Sequence, residues 1–273
     1  MPETPPSRWS DLDRPALDAR TLSAALTRDG GLWRSLEVVE SIGSTNAELL
    51  ARAGADEGTV LVAEHQEAGR GRLDRTWTSP PRAGLTVSFL VRPDVPAARR
   101  GWLPLLTGVA LAESVGEATG VRASVKWPND LLALDGRKLA GILAEASSDA
   151  VVVGTGLNVN TNATELPDTG TSLSVVTGAP VDRGPLLLAF LRAVERRYRS
   201  WVDALGDPVA SGLARDYLAW SSTVGTTVAV TLPDGSTLEG VAQAVDWDGR
   251  LVVATGTGTV ELASGDVQHV RRV

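Results

Sequence analysis

The chain is predicted to fold as α+β: a mixed sheet with helices packed on one side, followed by a small β-barrel. Three observations carry this. Strand-like runs alternate with helical stripes, but several strands are hairpin neighbours, which argues against a doubly wound parallel sheet. After Trp220 only short strands and Asp-Gly turns remain, with no helical period. Of the 273 residues, 43% are hydrophobic and 22% charged, an ordinary globular balance that excludes a disordered chain or a coiled coil.

The elements follow in order. Residues 1–35 form a lead-in with one helix over 16–28, where Leu17, Leu22, Ala25 and Leu26 make an apolar stripe. Residues 36–220 form the main domain. Residues 36–39 read as a strand, and Ser44 is an N-cap for a helix over 46–53. Residues 59–63 are a β-branched strand, and 64–82 are polar and carry no period. Strands are expected over 85–91 and 123–127, with a buried helix over 102–115 between them. Asp135-Gly136 joins strands 131–134 and 138–146 as a hairpin. A strand over 151–154 precedes a polar loop over 160–170. The helix over 186–205 places Leu187, Phe190, Leu191, Val194, Tyr198, Trp201 and Leu205 on one face, and a second helix covers 209–220. Residues 221–273 are the barrel, with turns at Asp234-Gly235 and Asp248-Gly249.

Composition excludes several chemistries. Lys+Arg is 26 and Asp+Glu 33, a net charge of −7, which disfavours a general nucleic-acid binder but leaves room for a local basic pocket. There is no cysteine, so disulfides, thiolate catalysis and cysteine-ligated metals are out. His65 and His269 are the only imidazoles, too few for a His-rich metal site. No apolar run approaches about 18 residues, and the first eight residues lack a signal-peptide pattern; a cytoplasmic protein is expected.

Chemistry concentrates in five segments. In Gly69-Arg70-Gly71-Arg72, with Arg75 and Trp77 following, glycines allow close backbone approach. The guanidiniums suit phosphate or carboxylate, and the indole offers a face to a purine. The alternative is a solvated loop paired with Glu67 and Asp74. Lys126-Trp127-Pro128-Asn129-Asp130 sets a carboxamide beside a carboxylate at a strand junction, or is a plain turn. Alternation along the strand from Lys138 places Lys138, Ala140 and Ile142 on one face, where a lysine either meets an anion or snorkels. Gly154-Thr155-Gly156-Leu157-Asn158 is a G-x-G without the third glycine or helix of a dinucleotide site, and suits close backbone packing against a ligand or strand. No G-x-x-x-x-G-K-[ST] is present. Ser44-Thr45-Asn46 is either an N-cap or a hydroxyl-lined ligand contact.

Taken together and in this order, the five segments resemble the biotin–protein ligases, over about residues 41–172. The resemblance implies a sheet of the class II synthetase and biotin–lipoate ligase type with an SH3-like C-terminal barrel. It implies activation of biotin by ATP, with Mg²⁺, to biotinyl-5′-adenylate, and transfer to a lysine of a biotin carboxyl carrier protein. By the family's pattern Ser44, Thr45, Asn46, Gln66, Gly69, Arg70, Gly71, Arg72, Lys138, Gly141 and Gly154 hold biotin. The nucleotide falls to Arg70, Arg72, Arg75, Trp77, Asn129, Lys138, Gly156 and Asn158. Arg72, Lys138 and Asp130 carry the chemistry, with Asp130 near the incoming amine; no residue is assigned to a resident metal. The stretch before Ser41 is too short for a winged helix, so no DNA binding is expected, and a monomer or weak homodimer is. A lipoate or octanoate ligase, or a non-catalytic biotin- or nucleotide-binding regulator, is the alternative reading.

Overall fold

The computed structural model describes residues 14–52, 54–72, 75–147, 149–232 and 234–269. The lead-in expected over residues 1–8, the end of the helix at Ala53 and the Asp74 partner fall outside them.

The larger part is a seven-stranded mixed sheet. Its strands are β1 (Ser35–Val39), β2 (Thr59–Ala63), β3 (Gly84–Val91), β4 (Ala123–Lys126), β5 (Asp130–Ala133), β6 (Lys138–Ser147) and β7 (Ala150–Asn158). They lie in the order β1-β2-β3-β7-β6-β5-β4. Only β1 and β2 pair in parallel, joined through α2 (Thr45–Ala51), whose N-cap is Ser44 as expected. Every other pair is antiparallel.

Alternation in the strands sorts two faces. Val60, Val62, Val87, Phe89, Val151 and Val153 enter the main core with α1 (Ala19–Leu26), α3 (Trp102–Thr119) and α5 (Arg183–Asp203). Leu61, Leu90 and Val152 point the other way, against Leu49 of α2. The principal helices therefore cover one face and leave the opposite one, beyond short α2, open for a site. Helix α3 is apolar nearly all round because it is buried: a methyl on Gly108 would stand 3.0 Å from Val125 Cγ1 of β4. α4 (Leu173–Thr177), capped by Ser172, is too short to show a sequence period, and α6 (Leu213–Trp220) starts four residues later than expected. Helix α5 ends at Asp203, so Leu205 lies past its end and is exposed instead of joining the apolar face expected of it. Strand β7 runs to Asn158, past the two glycines where the sequence suggested it would stop, because β3 and β6 hold it from both sides.

The smaller part is a five-stranded antiparallel sheet of β8 (Thr227–Thr231), β9 (Thr237–Val245), β10 (Leu251–Thr255), β11 (Gly258–Leu262) and β12 (Asp266–His269). Its order is β11-β10-β9-β8-β12. It is clamped to the larger part by two buried tryptophans. Trp102 Nε1 donates to Asp246 O and Trp247 O, and Trp127 Nε1 donates to Gly249 O at 3.1 Å. Trp127 N also donates to Thr223 Oγ1 at 3.0 Å. Trp127 thus serves the junction between the two sheets, beside the residues the sequence singled out.

Candidate active site

On the open face lies a cavity of about 370 Å³, in the range of small-molecule sites. Its floor is β3, β7 and β6, where Gly141 pairs with Gly156 and Leu143 with Gly154. The missing side chains make room for other parts of the protein. A methyl on Gly154 would stand 2.2 Å from Asn46 Oδ1, and one on Gly156 would stand 2.4 Å from the Trp77 indole. The G-x-G therefore does serve close packing, with an amide over the first glycine and an indole over the second.

One end of the cavity is a neutral polar cage. Thr45 N donates to Gln66 Oε1 at 2.8 Å, and Thr45 Oγ1 lies 3.0 Å from the same oxygen. Ser88 Oγ lies 2.6 Å from both Thr45 Oγ1 and Asn46 Oδ1. Asn46 Nδ2 donates to Leu143 O and to Glu145 Oε2. Amide oxygens cannot donate, so two hydroxyl protons must serve three oxygen–oxygen contacts. One contact is left without a proton, and a ligand N–H delivered to Gln66 Oε1 would free the Thr45 proton for Ser88. Ser88 and Glu145 were not singled out by sequence; a serine in an apolar strand and a glutamate at a strand end carry no local signal.

The other end is cationic. In the polar run after β2, residues 69–71 pair with residues 75–77 as the arms of a hairpin: Gly71 N donates to Arg75 O at 2.6 Å, and Trp77 N to Gly69 O at 2.9 Å. It is anchored by Glu67 N to Ile42 O and Ala68 N to Gly43 O. Glu67 receives a hydrogen bond from Ser41 Oγ at 3.0 Å, and among the described residues it forms no ion pair with an arginine. Among the described residues, Arg70 and Arg72 have no ion-pair partner. Burial pushes the Arg72 guanidinium below its ordinary value, against the pull of Asp130 and Asp266. Gly69 does not line the cavity; it sits behind the wall, where a methyl would stand 2.3 Å from Trp77 O.

Lys138 reaches the cavity by a route that simple alternation misses. Leu131 pairs with Ala140 but Leu132 pairs with Lys138, so Leu139 is the extra residue of a β-bulge. The bulge turns Lys138 away from the face of Ile142, which packs toward Gly108 of α3, and lays its Nζ over Gly141. The expected sharing of one face by Lys138, Ala140 and Ile142 is corrected accordingly. Lys138 Nζ stands 2.6 Å from Asp130 Oδ1 and 5.7 Å from the Trp77 ring centroid. The Asp130 contact is close in distance but not an aligned hydrogen bond.

Asn129 and Asn158 line the cavity, but their amide groups also hold the scaffold. Asn129 Nδ2 donates to Ile142 O at 2.9 Å, and Asn158 Nδ2 to Thr171 O at 3.1 Å. The polar loop forms the rim through Leu166, Pro167 and Thr169, and Lys138 N donates to Thr169 O. From the C-terminal sheet Asp266 arrives 2.5 Å from Arg75 Nη2. The Arg75 hydrogen bond holds its carboxyl below the usual carboxylate range, helped by Lys126 and Lys138. Apart from Gly69, every site residue named from sequence lines this cavity.

A polar cage and a cation cluster joined by one cavity on a mixed sheet define a protein that binds a small substrate with a polar end and an anionic end. The comparisons give the particular family. Residues 37–162 match the biotin/lipoate A/B protein ligase family, and residues 223–270 match the biotin protein ligase C-terminal domain. The chain is 46% identical over 265 residues to the biotin–[acetyl-CoA-carboxylase] ligase of Mycobacterium tuberculosis, covering 94% of this chain and 97% of that one. It is 35% identical to the bifunctional ligase/repressor BirA of Bacillus subtilis, covering 85% of this chain and 72% of the relative. The biotin protein ligase of Aquifex aeolicus, solved with biotin and ATP, superposes with a TM-score of 0.74 at 29% identity, over 88% of this chain and all of that one. The chain belongs to the biotin–protein ligase family.

Proposed function

We propose that this protein activates biotin with ATP and transfers the biotinyl group to a lysine of a biotin carboxyl carrier protein. The observation that carries this is the division of the cavity into a neutral cage with room for a ligand N–H and a cluster of Arg70, Arg72, Arg75 and Lys138. In the first step a biotin carboxylate oxygen attacks the α-phosphorus of ATP and pyrophosphate leaves. Two anions must meet, so preorganised cations lower the barrier. Arg72 and Lys138 flank the reacting groups, Arg75 meets the triphosphate, and Trp77 gives the adenine a flat partner. The cage of Thr45, Asn46 and Gln66, with Ser44 at the helix start, takes the ureido end of biotin.

In the second step the carrier lysine amine attacks the acyl carbon, AMP leaves and the amine loses a proton. Asp130 is the carboxylate placed to hold that ammonium or accept its proton once Lys138 turns to the phosphate. No covalent enzyme nucleophile is needed, which agrees with a chain that has no cysteine. Magnesium enters as part of the nucleotide substrate. Among the described residues no three acidic or imidazole groups cluster as a metal cage. An ion that arrives with ATP takes its ligands from phosphate oxygens and water, and needs no such cage.

Residues 36–220 carry this chemistry and residues 221–273 complete the nucleotide end. We place the protein in the cytoplasm, as a monomer or weak homodimer without specific DNA binding. No helix among the described residues is long and apolar enough to cross a membrane. The deciding experiment is ATP–pyrophosphate exchange. Exchange that requires biotin and is not supported by lipoate or octanoate is expected; exchange with those acids instead, or none at all, overturns the reading.

A further inference from the structure

We propose that Asp266, on the C-terminal sheet, is a positioning residue for ATP that holds Arg75 in the cavity before the nucleotide arrives. This rests on the nucleotide-site reading above. Arg75 sits on a hairpin held by few bonds, its side chain is 61% exposed, and Asp266 is its ion-pair partner at 2.5 Å. A long exposed side chain without that partner samples many rotamers, most of them outside the cavity.

Asp266 itself is well fixed. It opens β12, where it pairs with Thr231 of β8. The residue before it must be small, since a methyl on Gly265 would stand 2.5 Å from Val230 Cγ1. The same sheet is tied to the larger part through Trp127 and Gly249. The backbone that presents Asp266 is therefore rigid where the backbone that presents Arg75 is a surface hairpin. Its contact engages Nη2 alone, and the remaining guanidinium donors stay free for phosphate oxygens. Asp266 adds a negative charge near the triphosphate, but Arg72, Arg75, Lys126 and Lys138 surround it and outweigh it.

The test uses the full chain and steady-state ATP–pyrophosphate exchange with Asp266→Ala, Asp266→Asn, Arg75→Ala and the Asp266→Ala/Arg75→Ala double variant. Arg75→Ala should raise KM for ATP about tenfold, the loss of a charge-assisted hydrogen bond. Asp266→Ala should raise it about threefold, the scale of a partly exposed ion pair, with KM for biotin unmoved and kcat within twofold. Asp266→Asn, which keeps an acceptor oxygen, should fall between Asp266→Ala and the parent, and it stands in if the alanine variant does not fold. In the Arg75→Ala background Asp266→Ala should add nothing. A KM for ATP that is unchanged or lowered in both Asp266 variants, or effects that add fully in the double variant, overturns the proposal. An Arg75→Ala variant with the parent's KM for ATP overturns the nucleotide assignment of Arg75 instead.

Discussion

The two halves of the cavity are built on different principles. The cage around Thr45, Asn46 and Ser88 rests on the middle of the sheet and is buried, with each side chain tied to two or more partners. The cationic half is carried by the hairpin from Gly69 to Trp77, which few backbone bonds and one ion pair from another sheet hold in place. The first half can recognise a small neutral group without moving. The second half, in the nucleotide role proposed for it, has to admit a triphosphate and release pyrophosphate, which a segment held by few bonds allows. Lys138 belongs to both: its backbone is fixed at the bulge of β6, and its ammonium faces the loop.

That comparison can be tested from its strongest point downward. Lys138→Ala removes the one cation of the site held by a strand. Biotinyl-adenylate formation should fall about 100-fold or more, on the order of 3 kcal/mol in the barrier. Single-turnover measurement of the adenylate checks this, and a rate within tenfold of the parent would contradict the role.

The two glycines of the floor should then respond differently. In Gly154→Ala the new methyl meets Asn46 Oδ1, which is pinned by Ser88 and cannot yield without breaking the cage. Overpacking of this kind costs about 1–3 kcal/mol, so the melting temperature should drop by several degrees and biotin affinity should weaken. In Gly156→Ala the methyl meets the Trp77 ring, which its hairpin lets move aside. Here stability should be nearly unchanged while KM for ATP rises roughly fivefold, the scale of a lost aromatic stacking contact. Calorimetry with ATP–pyrophosphate exchange separates the two; equal losses of stability would erase the distinction between the halves.

Hydrogen exchange offers a gentler probe. Amides of β6 and β7 should be protected in the free protein, while those from Gly69 to Trp77 should exchange quickly and gain protection with biotin and ATP together. Equal protection of the hairpin in both states would count against its moving. The smallest expected effect is on DNA. Promoter DNA should show no sequence-selective mobility shift at micromolar protein and physiological salt, because the arginines Arg70, Arg72 and Arg75 line the cavity and are not free to track a backbone. A shift that needs biotin and ATP and survives competitor DNA would reveal a surface unconnected with either half.

Much of the scaffold was legible in the residues because its signals are local. Asp135-Gly136 makes its hairpin, Ser44 caps α2, the stripe from Leu187 to Trp201 buries α5, and the Asp-Gly turns after Trp220 mark the second sheet. Each depends on neighbours a few residues away, as turn chemistry, capping and periodicity do. The grouping of site residues was legible too, through five short segments whose order and residue types match one family, although spacing alone did not say that they converge.

Tertiary structure decided what depends on distant neighbours. Alternation predicted the wrong face for Lys138, since only pairing with β5 reveals the bulge that turns it toward the cavity. Strand β7 outlasts its glycines because two flanking strands supply the hydrogen bonds that propensity alone would not. Ser88 gives no sign in an apolar run until Asn46 is laid across it. Asp266 meets Arg75 across 191 positions of chain, and only the docking of one sheet on another brings that carboxylate to the cationic end of the cavity. The sequence by itself determined the elements, the turns and the inventory of cations. Their faces, their partners and the second sheet's share of the site were set by long-range packing, which no local pattern encodes.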